Sequence, residues 1–371
     1  MNDLIQPAPI AIPEAELTDL HDRLARTRWA PEPAGGDEGY GTSNARVREL
    51  VTYWKDSYDW RAWEARLNAY PHYQTEIDGS RVHFGWIKSP EPNAIPLILC
   101  HGWPGSVFEY LNVLGPLSDP AGHGLDSSIA FDLVLPSLPG FGFSGPTADT
   151  GWGVGRIAGA FVELMHRLGY DRYGTVGNDW GSGIAPEIGR LATEAVIGAH
   201  VTQAWFDAPT DEPELIAGLS PRDRAAMEAW QQFSTTASYA MVHSEQPQTL
   251  AHAISDSPAG LVAWNVQCMG DQEIEAILTH ASTHWLTGTA GSAIRIYCEA
   301  DREQLPVAAD VPLGVAQFPH DLPSVRAFVE REHNLIQWSE FDRGSHYGAF
   351  DAPDLMIGDL RSLFATLESA D

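Results

Sequence analysis

Seven residues, Val176-Gly177-Asn178-Asp179-Trp180-Gly181-Ser182, constrain this chain more than any other segment. Their spacing of small residues is that of a nucleophile elbow, the sharp strand-to-helix turn that lifts an attacking atom clear of a sheet. Such a turn needs Gly177, Gly181 and Ser182 where they stand, because the backbone there passes too close for a bulky Cβ. The apex is Asp179, where an esterase would hold serine. A carboxylate is already ionised at neutral pH and attacks without a base. It suits displacement at a saturated carbon, since the product is an ester that water can still cleave. A serine there would make an ether and stall.

An ester on Asp179 has to be hydrolysed, which calls for a base to activate water and an acid to orient that base. In folds built on this elbow the chain order is nucleophile, acid, histidine. His346, in Arg343-Gly344-Ser345-His346-Tyr347-Gly348, lies in a Gly-flanked loop after the last expected strand and is the base candidate among 14 histidines. Asp321, in Phe318-Pro319-His320-Asp321-Leu322, follows the preceding strand and is the favoured acid, with Asp301, Asp342 and Glu299 as competitors. His101-Gly102-Trp103-Pro104 also follows a core strand, where backbone N–H groups of Trp103 and Trp180 would hold an oxyanion. A plain turn carrying a core tryptophan is compatible with the same residues.

The rest of the chain supplies a frame for this set. Residues 1 to about 70 read as helical: Leu17, Leu20 and Leu24 recur at helical spacing after Pro13. After a Gly/Pro-rich break at 31–41, Val47, Leu50, Val51 and Trp54 share a face, and Trp60, Trp63 and Leu67 continue it. Residues 73–77, the turn Asp78-Gly79 and residues 82–87 read as a hairpin. Strands follow at 95–100, 131–136, 173–176 and 196–201, with an amphipathic helix at 157–168. Alternation of this kind predicts an α/β class fold with a mostly parallel sheet. Regularity fades at 207–293, which predicts an inserted helical cap; strands return at 311–318 and 336–341, and a helix at 353–367 closes the chain. The expected organisation is a helical segment at 1–72, a first core part at 73–206, the cap at 207–293 and a second core part at 294–371.

With 44% hydrophobic and 19% charged residues the composition is that of an ordinary soluble enzyme, and a net charge of −28 argues against nucleic acid or anionic membrane as partner. The opening Met1-Asn2-Asp3-Leu4-Ile5-Gln6-Pro7 has no basic or apolar targeting region. No stretch approaches the ~20 apolar residues of a membrane span. Cys100, Cys268 and Cys298 are odd in number and scattered, as reduced cytoplasmic thiols are. A cytoplasmic location is therefore expected, with a homodimer left open.

Taken together, His101-Gly102-Trp103-Pro104-Gly105, Gly177-Asn178-Asp179-Trp180-Gly181, Phe318-Pro319-His320-Asp321 and Gly344-Ser345-His346 resemble the epoxide hydrolase family of the microsomal type, in its soluble bacterial form. The likeness covers nearly the whole chain, including the helical segment that family carries before its hydrolase core. It implies an α/β-hydrolase core with a helical cap, an epoxide and water as substrates, a diol product, and no metal or organic cofactor. It also implies two cap tyrosines that hydrogen-bond the epoxide oxygen: Tyr239, in Ser238-Tyr239-Ala240, and Tyr297, in Arg295-Ile296-Tyr297. Eukaryotic members begin with a membrane anchor, which the opening residues here do not resemble, so membrane association is not expected, and those members often place glutamate where Asp321 stands.

Other patterns weigh less. Gly151-Trp152-Gly153-Val154-Gly155 fails the dinucleotide spacing, and His280 and His284 stand four apart without the glutamate or third ligand of a zinc site. Neither Ser144 nor Ser182 is the centre of a serine elbow. Two rival functions stay open: a haloalkane dehalogenase, which shares the Asp–His–acid logic but uses indole N–H donors for halide, and a non-catalytic binding protein on the same scaffold. Halide release without diol formation marks the first; tight binding without turnover marks the second.

Overall fold

A computed structural model describes residues 5–35, 38–209, 212–270 and 272–370. Met1 to Leu4, read above for a targeting segment, lie outside the described residues, as do Gly36 and Asp37 of the Gly/Pro-rich break and Thr210, Asp211 and Asp271 of the cap segment. Nine strands are described: β1 (Gln6–Pro7), β2 (His72–Ile77), β3 (Ser80–Ile87), β4 (Ile95–Cys100), β5 (Phe131–Pro136), β6 (Tyr173–Gly177), β7 (Val196–Val201), β8 (Ala309–Gln317) and β9 (His333–Glu340). They form one sheet in the order β1-β2-β3-β5-β4-β6-β7-β8-β9. The first three strands and the β3–β5 pair are antiparallel; from β5 through β4 to β9 every pair is parallel. This is the α/β-hydrolase fold.

The local rules that predicted these elements are visible in them. The β2–β3 turn has Asp78 at φ 50° and Gly79 at φ 74°, the paired positive angles of a tight hairpin. All six residues of β5 are buried, Asp132 among them, as strands covered on both faces of a sheet are. One expectation needs correction. Residues 1–70 are not wholly helical, because β1 pairs with β2 at the sheet edge. Prolines at 7 and 9 forbid a helix there, and at an edge the missing N–H of Pro7 costs nothing.

Helices α1 (Glu14–Ala25), α2 (Asn44–Asp56) and α3 (Trp60–Leu67) bury the apolar stripes seen in the sequence, with Ser43 and Asp59 capping α2 and α3. Helices α4 (Leu111–Ser118), α5 (Val154–Arg167) and α6 (Trp180–Leu191) join the core strands; α5 packs on α6, and α4 packs against the C-terminal helix. The cap contains α7 (Pro213–Gly218), α8 (Pro221–Thr236), α9 (Ser238–Glu245), α10 (Pro247–Asp256), α11 (Pro258–Met269), α12 (Ile274–Leu286) and α13 (Ala290–Ala293). The helical run continues through α14 (Arg295–Glu303), which carries Tyr297 and packs on α9; the sheet resumes only at Ala309. Helices α15 (Arg326–Glu332), α16 (Gly348–Asp351) and α17 (Pro353–Ala370) complete the chain. No helix among the described residues is long and apolar enough to cross a membrane.

The N-terminal segment is fastened to the cap by polar tips of aromatic side chains. Trp54 Nε1 donates to Ser282 Oγ (2.9 Å), and Tyr58 Oη to Thr279 Oγ1 (3.1 Å). Trp63 Nε1 and Tyr53 Oη each donate to a different oxygen of Glu275 at 2.7 Å. All three acceptor residues lie on α12, so α2 and α3 fix that helix with both apolar area and satisfied hydrogen bonds.

Candidate active site

Sheet order delivers the site. Strands β4, β6, β7, β8 and β9 are successive neighbours, and the carboxyl end of each leads into one polar residue: Trp103, Asp179, Gln203, Asp321 and His346. Parallel strands lie about 4.8 Å apart, so side chains leaving adjacent ends meet without long reaches. An isolated parallel bridge between His320 and Ser345 ties together the loops of the last two.

At the elbow Asp179 is held at φ 54°, ψ −121°, a region that non-glycine residues avoid. The glycines are compelled by close approach. A Cβ on Gly177 would stand 1.9 Å from Gly181 O, and one on Gly181 would stand 1.9 Å from Cys100 O. Gly102 is equally constrained, since its Cβ would stand 2.0 Å from Asp179 Oδ1. With that space open, the Trp103 N–H donates to Asp179 Oδ1 at 2.7 Å, and the Trp180 N–H also favours the charged form of this carboxylate.

His346 Nε2 lies 3.8 Å from Asp179 Oδ2, while its Nδ1 lies 2.9 Å from Asp321 Oδ1. The same Asp321 oxygen accepts from Gln203 Nε2 (2.6 Å) and from the Leu322 N–H (2.8 Å). Among the carboxylates weighed for this place, Asp321 meets the imidazole; Asp301 and Asp342 are exposed, and Glu299 lies by Arg302 at 3.6 Å. Burial disfavours the charged imidazole, but the Asp321 charge and hydrogen bond, with Asp179 and Glu109 beyond, outweigh it and raise His346 to about 9. Burial pushes Asp179 above the ordinary carboxylate range, opposed by His346 and by the Trp103 and Trp180 N–H groups.

Above this floor lies a cavity of about 1620 Å³, lined by Asp179, His346 and Asp321 below and by Tyr239, Tyr297 and Trp230 of the cap. Tyr239 stands on α9 and Tyr297 on α14, with ring centroids 6.3 Å apart. Both rings pack on Trp103, at 5.5 and 5.9 Å, and Tyr297 also meets Trp180 edge-on at 4.6 Å. Burial, then the Asp179 charge, drives the Tyr297 phenol well up; burial does the same to Tyr239, so both stay protonated donors. The structure thus brings all seven expected residues around one space.

Five residues in and behind the site were not singled out from the sequence for this place. Gln203 was signalled only by its strand-end position. Glu109 was signalled by a charge inside the apolar run Val107-Phe108-Glu109-Tyr110-Leu111. His243, fully buried, accepts from Trp264 Nε1 at 2.9 Å and packs on Trp103 and Tyr297. His284, discounted above as a metal ligand, has Nε2 at 3.2 and 3.1 Å from the carbonyl oxygens of Pro104 and Gly105, while His280 Nδ1 pairs with Ser106 Oγ at 2.9 Å. Both hold the loop that presents the Trp103 N–H. Burial lowers His280 to about 3 and His284 to about 4, so both act as neutral rings.

Known proteins are similar to this chain in sequence and fold. Residues 5–110 match the epoxide hydrolase N-terminus family model, and residues 95–233 match that of the alpha/beta hydrolase fold. A candidate epoxide hydrolase of Stigmatella aurantiaca is 39% identical over 380 residues, covering 98% of this chain and 86% of its own. Epoxide hydrolase 1 of Sus scrofa is 30% identical over 409 residues, covering 99% and 90%. The solved epoxide hydrolase of Aspergillus niger superposes with a TM-score of 0.88 at 30% identity, covering 98% of this chain and 96% of that one. With an Asp-centred elbow, a helical cap and relatives matched from end to end, this chain belongs to the epoxide hydrolase family of the α/β-hydrolases, which act on ether bonds.

Proposed function

We propose that the enzyme opens an epoxide to a vicinal diol through a covalent ester on Asp179. In the first step Asp179 Oδ2 attacks one ring carbon, and the C–O bond of the strained ring breaks. Tyr239 and Tyr297 hydrogen-bond the departing oxygen and supply its proton. In the second step His346, oriented by Asp321, takes a proton from water. That water attacks the ester carbonyl, and the Trp103 and Trp180 N–H groups stabilise the resulting oxyanion. Collapse releases the diol, and the second proton of the water returns to the phenolate left by ring opening, so that the carboxylate and both phenols are restored. Gln203 supports Asp321 through the bond to its Oδ1.

One observation carries this reading. A carboxylate–imidazole pair, 3.8 Å apart, lines the floor of a cavity that two half-buried tyrosines also line from the cap side. A nucleophile and acids for the leaving oxygen on facing walls suit a substrate whose electrophilic carbon and leaving oxygen belong to one small ring. The test is turnover of a styrene-type epoxide in heavy-oxygen water, with mass analysis of the elbow peptide. First-turnover diol should carry unlabelled oxygen, and label should enter Asp179 over repeated turnovers. His346→Gln should slow release on the order of 10³-fold and trap the ester. If label never reaches Asp179 and His346→Gln accumulates no covalent species, the reading fails.

A further inference from the structure

Glu109 is a buried carboxyl that the two steps above do not use. It lies in the turn Val107–Tyr110 and is 1% exposed. A carboxyl rarely enters a protein interior without a charged partner, yet the bond to its Oε1 comes from a neutral donor. Asn178 Nδ2 reaches it at 3.2 Å, and Asn178 Oδ1 in turn accepts from Thr202 Oγ1 at 2.6 Å. Asn178 immediately precedes the nucleophile, so this clamp ties Glu109 to the elbow. The second oxygen, Oε2, has no protein partner.

A second buried oxygen nearby shares that condition: Tyr347 Oη also has no protein partner. Its ring packs edge-on against His346, with centroids 4.8 Å apart. Glu109 Oε2 and the Tyr347 ring lie on the same side of the Gly105 turn: a Cβ on Gly105 would stand 2.5 Å from Glu109 Oε2 and 3.4 Å from Tyr347 Cε1, the ring carbon next to the one that bears the hydroxyl. Tyr347 and Pro104 line the substrate cavity; Glu109 stands behind them. Buried polar atoms without protein partners are places where a protein keeps a water or does chemistry.

We propose that Glu109 Oε2 and Tyr347 Oη hold the hydrolytic water beside His346, in an alcove that the epoxide does not enter. This rests on the ester mechanism above. The water gives one O–H to Glu109 Oε2 as a hydrogen bond and the other to His346 Nε2 as a proton. Its oxygen adds to the carbonyl carbon of the Asp179 ester. The acyl–oxygen bond then breaks, the departing alkoxide takes the proton from His346, and the second water proton, left on the Asp179 carboxyl, returns to the phenolate formed in ring opening, so Asp179 is again a carboxylate holding one water oxygen. Glu109 neither gains nor loses a proton.

Rapid-quench kinetics on the full-length enzyme with a styrene-type epoxide separates the two steps. In Glu109→Gln the Asn178 donor keeps the amide oxygen on its own side and turns the NH2 toward the water, replacing an acceptor by a donor. Ester hydrolysis should fall on the order of 10²-fold, with alkylation within about threefold of wild type and the ester accumulating. Hydrolysis within twofold of wild type overturns the proposal, and so do equal losses in both steps. Should that variant not fold, Tyr347→Phe decides: hydrolysis alone should slow by about fivefold, and an unchanged rate overturns the assignment. A wild-type enzyme that forms no ester overturns the ester mechanism and this proposal together, whereas a normal wild-type ester with unimpaired Glu109→Gln hydrolysis overturns only this one.

Discussion

On the sheet side of the cavity, Asp179, Asp321 and His346 are fixed by hydrogen bonds from strand-end loops, whereas on the cap side Tyr239 and Tyr297 are fixed by ring packing. The floor has bonds of 2.6 to 2.9 Å onto Asp321 and 2.7 Å onto Asp179. The roof has aromatic contacts at 4.5 to 6.3 Å among Trp103, Tyr239, His243 and Tyr297. Hydrogen bonds are directional and set an atom to a fraction of an ångström; ring packing sets a position while leaving the hydroxyl free. In the proposed mechanism a covalent bond is made and unmade on the floor, and an oxygen of variable placement is met at the roof. The two constructions match those demands.

Mutations should separate them. The largest loss is expected for Asp179→Asn, which keeps the shape but removes the attacking charge: diol formation should fall by about 10⁴-fold or more with stability near wild type. Retained turnover in that variant would mean the floor is not where the covalent bond forms. Tyr297→Phe and Tyr239→Phe should each cost about 10²-fold in the alkylation rate and leave hydrolysis of a preformed ester unchanged. Loss in both steps would break the division between roof and floor.

The pH dependence sharpens the same contrast. Hydrolysis needs neutral His346, so its rate should rise about tenfold per pH unit until the imidazole is deprotonated. In the free enzyme the Asp179 charge is among the groups that raise His346 to about 9; esterification removes that charge, so the midpoint for hydrolysis should lie below 9. Single-turnover rates against pH check this, and a midpoint above 9 contradicts it. The smallest effect belongs to Gln203→Leu, which removes one of three donors to Asp321 Oδ1. A kcat loss of about fivefold, with KM unchanged, is expected.

Much of the floor was legible because its rules are local. Gly177 and Gly181 are demanded by contacts at 1.9 Å within one turn and one neighbouring strand, so their spacing along the chain carries the geometry. The order of Asp179, Asp321 and His346 follows from the order of strands. The acid was legible only in part: its strand-end position favoured Asp321 over Asp301, Asp342 and Glu299, and the approach of its Oδ1 to His346 Nδ1 at 2.9 Å is a distance that no spacing along the chain gives. Nor did the opening residues announce an edge strand, since a two-residue strand leaves no periodicity to read.

By itself the sequence determined the elbow, the strand alternation and the aspartate at the apex, because steric exclusion and φ preference act between residues a few positions apart. The tertiary structure decided which carboxylate meets His346, that Gln203 supports it, that His280 and His284 brace the Trp103 loop, and that Glu109 lies behind the site. Those depend on which strands are neighbours and which helix covers them. Residues far apart in the chain are brought within hydrogen-bond range only by packing the whole sheet and cap, and no spacing along the chain encodes that distance.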